Sequence, residues 1–362
     1  MKVLLCFAAV VAVAFAAACD VENCKIEDEC VCTSRSSPLP LEDTPQFVML
    51  TFDDAVTRYI YDTYYQTLLL PRTNPDNKTI GATFFVPHEY SDYEAVNQLY
   101  NAGFEIGTHS ITKDLASYWE KASEDTLVQE FKGQKEIIAK FANIPEEHIK
   151  GVRTPHFQLA GNKTFTAYVK AGCNYDSSWT SLPKDKLFPY TLDHVSTQEC
   201  LIGECPTVSV PKFWVAPIND LVGENGINCN TIYGCQKNGT AEEIEKWLLS
   251  ELEKSYKNRA PMKLLVNSVW LSDEQNLKGF EGFLDAVGEK EDHFLVSVRE
   301  VIEWMKNPVP VTQYTSLLGN VPTTCDPITC VLDKQHETRY MRSCVPCPRI
   351  YPWLNNPTGE VY

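Results

Sequence analysis

The chain has 362 residues, a net charge of −16 and a pI near 4.9, and it contains no basic patch. These features exclude a nucleic-acid partner and suit a neutral polymer better than an anionic one. Fourteen cysteines point to an oxidising compartment.

Met1-Lys2 is followed by an apolar run over residues 3–18 that closes on Ala16, Ala17 and Ala18. A positive start, a short apolar core and small residues at the end describe a secretory signal peptide cleaved near Ala18. No later run rivals it, so a secreted protein with no membrane partner is expected. The length suits one large domain with appendages, expected as a monomer.

Residues 19–40 are Cys-rich and end in Ser36-Ser37-Pro38-Leu39-Pro40, which reads as a stapled N-terminal segment with a linker. From 41 to 308, apolar runs alternate with amphipathic stretches. The strands expected are 46–52, 82–86, 104–107, 150–152, 263–270 and 293–296. The helices expected are 55–69, 92–102, 125–141, 163–171, 241–257 and 298–306. Thr240 with Glu243, and Ser297 with Glu300, have capping-box spacing. Such alternation predicts a parallel sheet or barrel covered by helices. Residues 182–238, rich in Pro and Cys, read as a disulfide-braced insertion. The tail 309–362 has no sustained helical period and is expected to wrap the barrel.

Eight cysteines sit near the two ends of the mature chain, and Cys200/Cys205 and Cys229/Cys235 could each close a short loop. Cys173 is left as the unpaired thiol. Zinc is the competing use for Cys344-Val345-Pro346-Cys347, but in a secreted chain without a matching ligand set a disulfide is the preferred reading. Sequons at Asn77, Asn162 and Asn238 mark surface loops that can be glycosylated.

The chemistry centres on Thr51-Phe52-Asp53-Asp54-Ala55, after Gln46-Phe47-Val48-Met49-Leu50. The apolar run reads as a strand buried on both faces. Two carboxylates at its carboxyl end reach the face where α/β barrels place their chemistry. One could hold a cation while the other works as a base. The competing reading is that both merely open the turn into the next helix. Three further strand ends carry polar groups: Gly107-Thr108-His109-Ser110, Gly151-Val152-Arg153-Thr154-Pro155-His156-Phe157, and Asn267-Ser268-Val269-Trp270. His109 could join Asp54 on a metal, although a lone histidine is more often structural. Arg153 could hold a carboxylate.

Thr51-Phe52-Asp53-Asp54-Ala55, Ala82-Thr83-Phe84-Phe85-Val86, His109-Ser110 and Arg153-x-Pro155 together resemble the polysaccharide deacetylase (NodB homology, carbohydrate esterase family 4) family, with insect chitin deacetylases as the nearer likeness. Tyr175-Asp176-Ser177-Ser178 and Pro189-Tyr190-Thr191-Leu192 support it. The Cys-rich ends are similar to the short gut-type members. The resemblance implies an α/β fold: a distorted (β/α) barrel of NodB type over 41–308, with a disulfide-braced insertion and Cys-rich N- and C-terminal extensions. It implies metal-dependent removal of acetyl groups from chitin or chito-oligosaccharides outside the cell, in a matrix such as the gut lining, with zinc or another divalent metal as cofactor. By motif position Asp53 would be the general base, Asp54 and His109 metal ligands, and Arg153 the group that orients Asp53. Pro155, Phe157, Trp179 and Trp214 would contact the sugar.

Two positions depart from the family pattern. Lys113 stands where the family has its second ligand histidine, and Asn267 where it has the histidine that acts as acid. An ammonium does not ligate, and losing general acid–base catalysis costs about 10²–10⁴-fold. Asp114 is the candidate substitute ligand and His156 the candidate substitute acid. The alternative function is therefore a catalytically weak or inactive chitin-binding protein on the same barrel, with Trp119, Trp179, Phe213 and Trp214 as stacking candidates.

Overall fold

The computed structural model describes residues 19–317 and 319–361. The signal segment 1–18 lies outside them. Nine strands form one sheet: β1 (Gln46–Phe52), β2 (Thr83–Pro87), β3 (Glu105–Ser110), β4 (Gly151–Val152), β5 (Tyr175–Asp176), β6 (Tyr190–Leu192), β7 (Val210–Val215), β8 (Met262–Leu265) and β9 (His293–Val296). Their order is β8-β1-β2-β3-β4-β5-β7-β6, with β9 also on β1. All pairs are parallel except β6–β7. The first half of β1 pairs with β9 and its last two residues with β2, so the sheet curls into a half-barrel.

The non-alternating β1 sequence follows from this curl. Val48, Leu50 and Phe52 pack outward into the core under the helices, while Phe47 and Met49 pack inward with Phe85, Tyr175 and Trp214. Six helices of nine residues or more cover the outside: α1 (Tyr93–Asn101), α2 (Glu124–Phe141), α3 (Asn162–Lys170), α4 (Ala241–Tyr256), α5 (Glu274–Gly288) and α6 (Val298–Lys306). Both capping boxes form, at Thr240/Glu243 and Ser297/Glu300. The helix expected over 55–69 begins at Arg58, and Tyr61–Tyr65 within it takes the wider π geometry.

Three sequence expectations need correction. The strand expected over 263–270 stops at Leu265, because the Asn267 side chain accepts the Trp270 N–H and starts a short helix, Ser268–Leu271. Helix α5 was not expected. Its Gly279 and Gly282 lower helix propensity, yet they are what lets α5 approach α4: a Cβ on Gly279 would lie 2.6 Å from the Ala241 carbonyl and one on Gly282 2.4 Å from Glu245. The region 182–238 is also more than an insertion, since it supplies β6 and β7 to the main sheet.

Six disulfides form: Cys19–Cys32, Cys24–Cys30, Cys200–Cys205, Cys229–Cys235, Cys325–Cys344 and Cys330–Cys347. Cys173 is free and buried. Cys344 and Cys347 take separate partners, which rules out their shared use on zinc. The N-terminal segment runs along the β6 edge through Val31–Thr191 bonds and the Phe188 N–H to Ser34, covering an otherwise open sheet edge. The tail forms a hairpin of β10 (Ile328–Lys334) and β11 (Glu337–Ser343) against α1. No described helix is long and apolar enough to cross a membrane.

Candidate active site at the strand ends

Parallel pairing brings the carboxyl ends of β1, β3, β4 and β8 to one rim, and with them Asp53, Asp54, His109, Arg153 and Asn267. On β1 the odd positions face the barrel interior. Thr51 therefore lies one step below Asp53, about 7 Å along the same face.

Arg153 is fully buried in that lower layer. Its guanidinium donates to Thr51 Oγ1 (3.1 Å), Ser177 Oγ (2.9 Å) and the Ser177 carbonyl (2.8 Å), and it lies 4.3 Å from the Phe85 ring centre. Burial lowers its pKa to about 10, and Asp53 is the largest charge acting against that shift. The Arg153 hydrogen bonds go to Thr51 and Ser177, not to the Asp53 carboxylate, as direct orientation would need. Beside it Lys263, also buried, donates to Ser177 Oγ (3.0 Å) and the Ala216 carbonyl (2.5 Å). Burial and then Arg153 hold the Lys263 pKa well below its usual value. Asp176 accepts the N–H groups of Ser178 and Trp179 and completes this buried polar layer.

His109 is buried and its Nδ1–H donates to the Arg153 carbonyl (2.7 Å), which leaves Nε2 as the free nitrogen. Burial first, and the Lys113 ammonium second, push its pKa well below the usual histidine value. The Lys113 backbone is left-handed (φ 47°), and its Nζ donates to the Asp53 carbonyl at 2.7 Å. Asp54 Oδ2 accepts from the Ser268 N–H (2.6 Å) and Ser268 Oγ (2.9 Å). Asp114, the candidate substitute ligand, is exposed; its Oδ1 accepts the N–H of the next residue, Leu115. His156 is exposed at the rim with φ 56° and donates from Nε2 to the Asp114 carbonyl (3.1 Å).

These donors do not fit a divalent metal held by three protein side chains. The third position carries a cation, and one Asp54 oxygen already serves two protein donors. Among the described residues, the one set of three potential ligand side chains with atoms close together is Cys19, Cys24 and His194, which includes none of the rim residues and in which both cysteines are in disulfides.

Of the sugar-contact candidates, Phe157 packs with Ile218 and Leu265 as an apolar wall at this end, and Pro155 is buried beside it. Trp179 and Trp214 are core residues, 2% and 3% exposed. Trp179 packs on Phe165 and Tyr190, and Trp214 lies inside the curl with Phe47 and Tyr175, so neither offers a face to a sugar. Trp119 and Phe213 are buried as well. Sequence reasoning missed Ser268, Ser177, Lys263 and Tyr65. Tyr65 is fully buried on Phe52 and Phe84, and the charges of Asp54 and Asp53 help raise its pKa after burial. A lysine in the apolar stretch Met262–Leu265 was the available signal for Lys263.

Fold and rim together define an α/β half-barrel of the deacetylase type, with a carboxylate pair, a buried imidazole and a buried guanidinium at one mouth. Residues 41–175 match the family model described as polysaccharide deacetylase. Chitin deacetylase 8 of Bombyx mori is 40% identical over 94% of this chain and 93% of its own length. Chitin deacetylase 1 of Bombyx mori is 32% identical over 94% of this chain and 68% of its own. Among solved structures, the PuuE allantoinase aligns with 77% of this chain and 96% of its own at 12% identity, with a TM-score of 0.49. The chain belongs to the polysaccharide deacetylase family, as the two silkworm relatives establish.

Proposed function

We propose that this protein is a secreted chitin-binding member of its family whose hydrolytic centre is weak or silent. The observation that carries this reading is the Lys113 ammonium on the Asp53 carbonyl at 2.7 Å, at the position of a ligand histidine. It sets a positive charge close enough to the ligand candidate His109 to depress its pKa. Asn267 adds to it: its side chain caps the Ser268–Leu271 turn and has no proton to give as an acid. Chitin as the ligand rests on the named relatives, on the neutral-polymer logic of the net charge and on the apolar wall around Phe157. Secretion rests on the signal-like start and the six disulfides. Exposure of Asn77, Asn162 and Asn238 leaves all three sequons open to glycosylation.

In this reading the residues present have definite tasks. Lys113 and the rim N–H groups donate to the acetamido carbonyl, Phe157 borders the sugar, and Arg153 supplies a positive charge in the layer below Asp53. A resident divalent metal, where one binds, would supply Lewis-acid activation of water and of the amide carbonyl. The rival reading, metal-dependent hydrolysis, draws on the placement of Asp53, His109 and Arg153 at one mouth. The deciding experiment measures chitin-bead binding and acetate release from chito-oligomers on one preparation, with and without added zinc or cobalt. Binding without release is expected. Stoichiometric zinc with sustained release would return the deacetylase reading.

A further inference from the structure

The indole rings that the sequence offered for sugar stacking are buried, whereas the most exposed aromatic residues among those described are Tyr59 at 69%, Tyr90 at 72% and Tyr340 at 70% exposure. Backbone contacts place the first two at the rim. Tyr59 belongs to the short helix after the Asp54 turn. Tyr90 ends the loop after β2, where Ser91 Oγ accepts the Val56 N–H (3.2 Å) and Val56 accepts the Asp92 N–H (2.7 Å). Tyr90 is held with φ 67°, a left-handed conformation that an aromatic residue rarely adopts, and its ring faces water all the same.

Ion pairs then link this rim to the tail hairpin. Glu89, next to Tyr90, takes Lys334 (2.7 Å) and Arg339 (3.6 Å), and Arg339 precedes Tyr340. Glu94 takes both Arg342 (2.6 Å) and Arg58, the neighbour of Tyr59 (3.4 Å). On the hairpin, Cys330, Leu332 and Met341 face the body, so alternation turns Tyr340 outward, in register with exposed Val331 and beside Arg342. The outer face carries an aromatic ring near its centre with Thr329, Thr338 and Asp333 around it.

We propose that Tyr59, Tyr90 and the outer face of the β10–β11 hairpin form an accessory track for a neutral N-acetylglucosamine polymer, running from the rim of the site onto the tail. The occupant follows from the chemistry. The four basic groups along the track, Arg58, Lys334, Arg339 and Arg342, are matched by Glu89, Asp92, Glu94 and Glu337, so no net positive charge is left to recruit an anionic chain. The exposed groups that remain are rings, hydroxyls and paired charges, which serve a pyranose face and its hydroxyl and amide groups. This proposal rests on the chitin-binding reading above and extends it to polymer length.

The test uses the full chain, as wild type, Tyr340→Ala and Tyr90→Asn. Asn tolerates a left-handed backbone, so the second variant removes the ring without straining the fold. Each variant is measured for sedimentation with insoluble chitin and for calorimetric binding of the N-acetylglucosamine trimer, which is too short to reach the hairpin from the site. Chitin affinity is expected to fall about 3–10-fold per ring, with melting temperature unchanged in both variants and trimer affinity unchanged in Tyr340→Ala. Unchanged chitin affinity in both variants, with the trimer still bound, overturns the track and leaves the site reading intact. A wild type that binds neither ligand overturns both. Loss of trimer binding together with chitin binding in Tyr340→Ala would place that tyrosine in the site itself and also overturn the track.

Discussion

Lys113→His tests whether one side chain decides the metal chemistry. The substitution would set a third neutral donor beside Asp54 and His109, at a backbone position with φ 47° where histidine is among the better-tolerated residues. It removes the Lys113–Asp53 carbonyl bond, which is solvent-exposed and contributes at most about 1 kcal/mol. It also removes the charge that, after burial, disfavours a proton or a cation near His109. A divalent ion that binds only the folded state at a hundredfold excess over its dissociation constant adds about 2.7 kcal/mol of stability. The variant should therefore melt slightly below wild type without metal and several degrees above it with zinc, since about 2–4 °C accompanies each kcal/mol in large domains. Elemental analysis after gel filtration should find one zinc per variant chain and none in wild type. The single variant should bind metal without hydrolysing well. Adding Asn267→His, which gives up a helix cap contributing about 1 kcal/mol, should bring acetate release with it. Stoichiometric zinc in wild type would refute the reasoning outright. A folded Lys113→His chain that takes up no zinc would show that the Ser268 bonds hold Asp54 out of reach.

Three further outcomes follow from other parts of the fold. Gly151→Ala would place a methyl group 2.1 Å from the Tyr175 hydroxyl, which is buried and donates to Glu105, so a loss of about 3 kcal/mol is expected in urea unfolding. His88 is buried against Tyr351 and bonded to Tyr93, and burial lowers its pKa to about 3. A histidine whose folded pKa is depressed gives its full stability above its unfolded value near 6.5 and loses it as pH falls toward 3. Acid should therefore loosen the tail, to an extent of order 4 kcal/mol, and His88→Gln should flatten that slope in a pH series of melts. Replacing Cys330 and Cys347 together by Ala opens a 17-residue loop and should cost about 3 kcal/mol. Limited proteolysis should then cut the hairpin before the barrel, and simultaneous cutting throughout would argue against the tail as a separate appendage.

Sequence reasoning went furthest where one residue answers to one physical demand. The unbroken apolar run of β1 could only be a strand buried on both faces, and the Ser297/Glu300 pair could only begin a helix. It failed where the demand comes from a neighbour. The glycines that hid α5 are explained by α4, which a local pattern does not see. The tryptophans looked like sugar platforms because composition tells that a ring is present and not which side of the sheet it occupies. The strand-end residues were found because parallel pairing sends every β–α turn to one rim, but their contacts were not legible: Arg153 bonds to Ser177 and Thr51, and Asp54 bonds to Ser268.

The same contacts decide how much the surviving residues say about hydrolysis. Arg153 is fully buried, stacked on Phe85, and bonded to Thr51 and Ser177, while its carbonyl accepts the His109 Nδ1–H. Removing it would strand Asp176 and Ser177 in the barrel and cost about 3–5 kcal/mol, as for any broken buried charge network. Arg153 and His109 are therefore required by the fold whether or not an amide is ever cleaved, and their presence supports the barrel more than the reaction. Lys113 and Asn267 are different. Lys113 is exposed and Asn267 half-buried just past the ends of their strands, and apart from the helix cap of Asn267 neither is tied into the barrel core. The informative positions at this mouth are therefore these two, and both carry side chains that the metal-dependent reaction does not use.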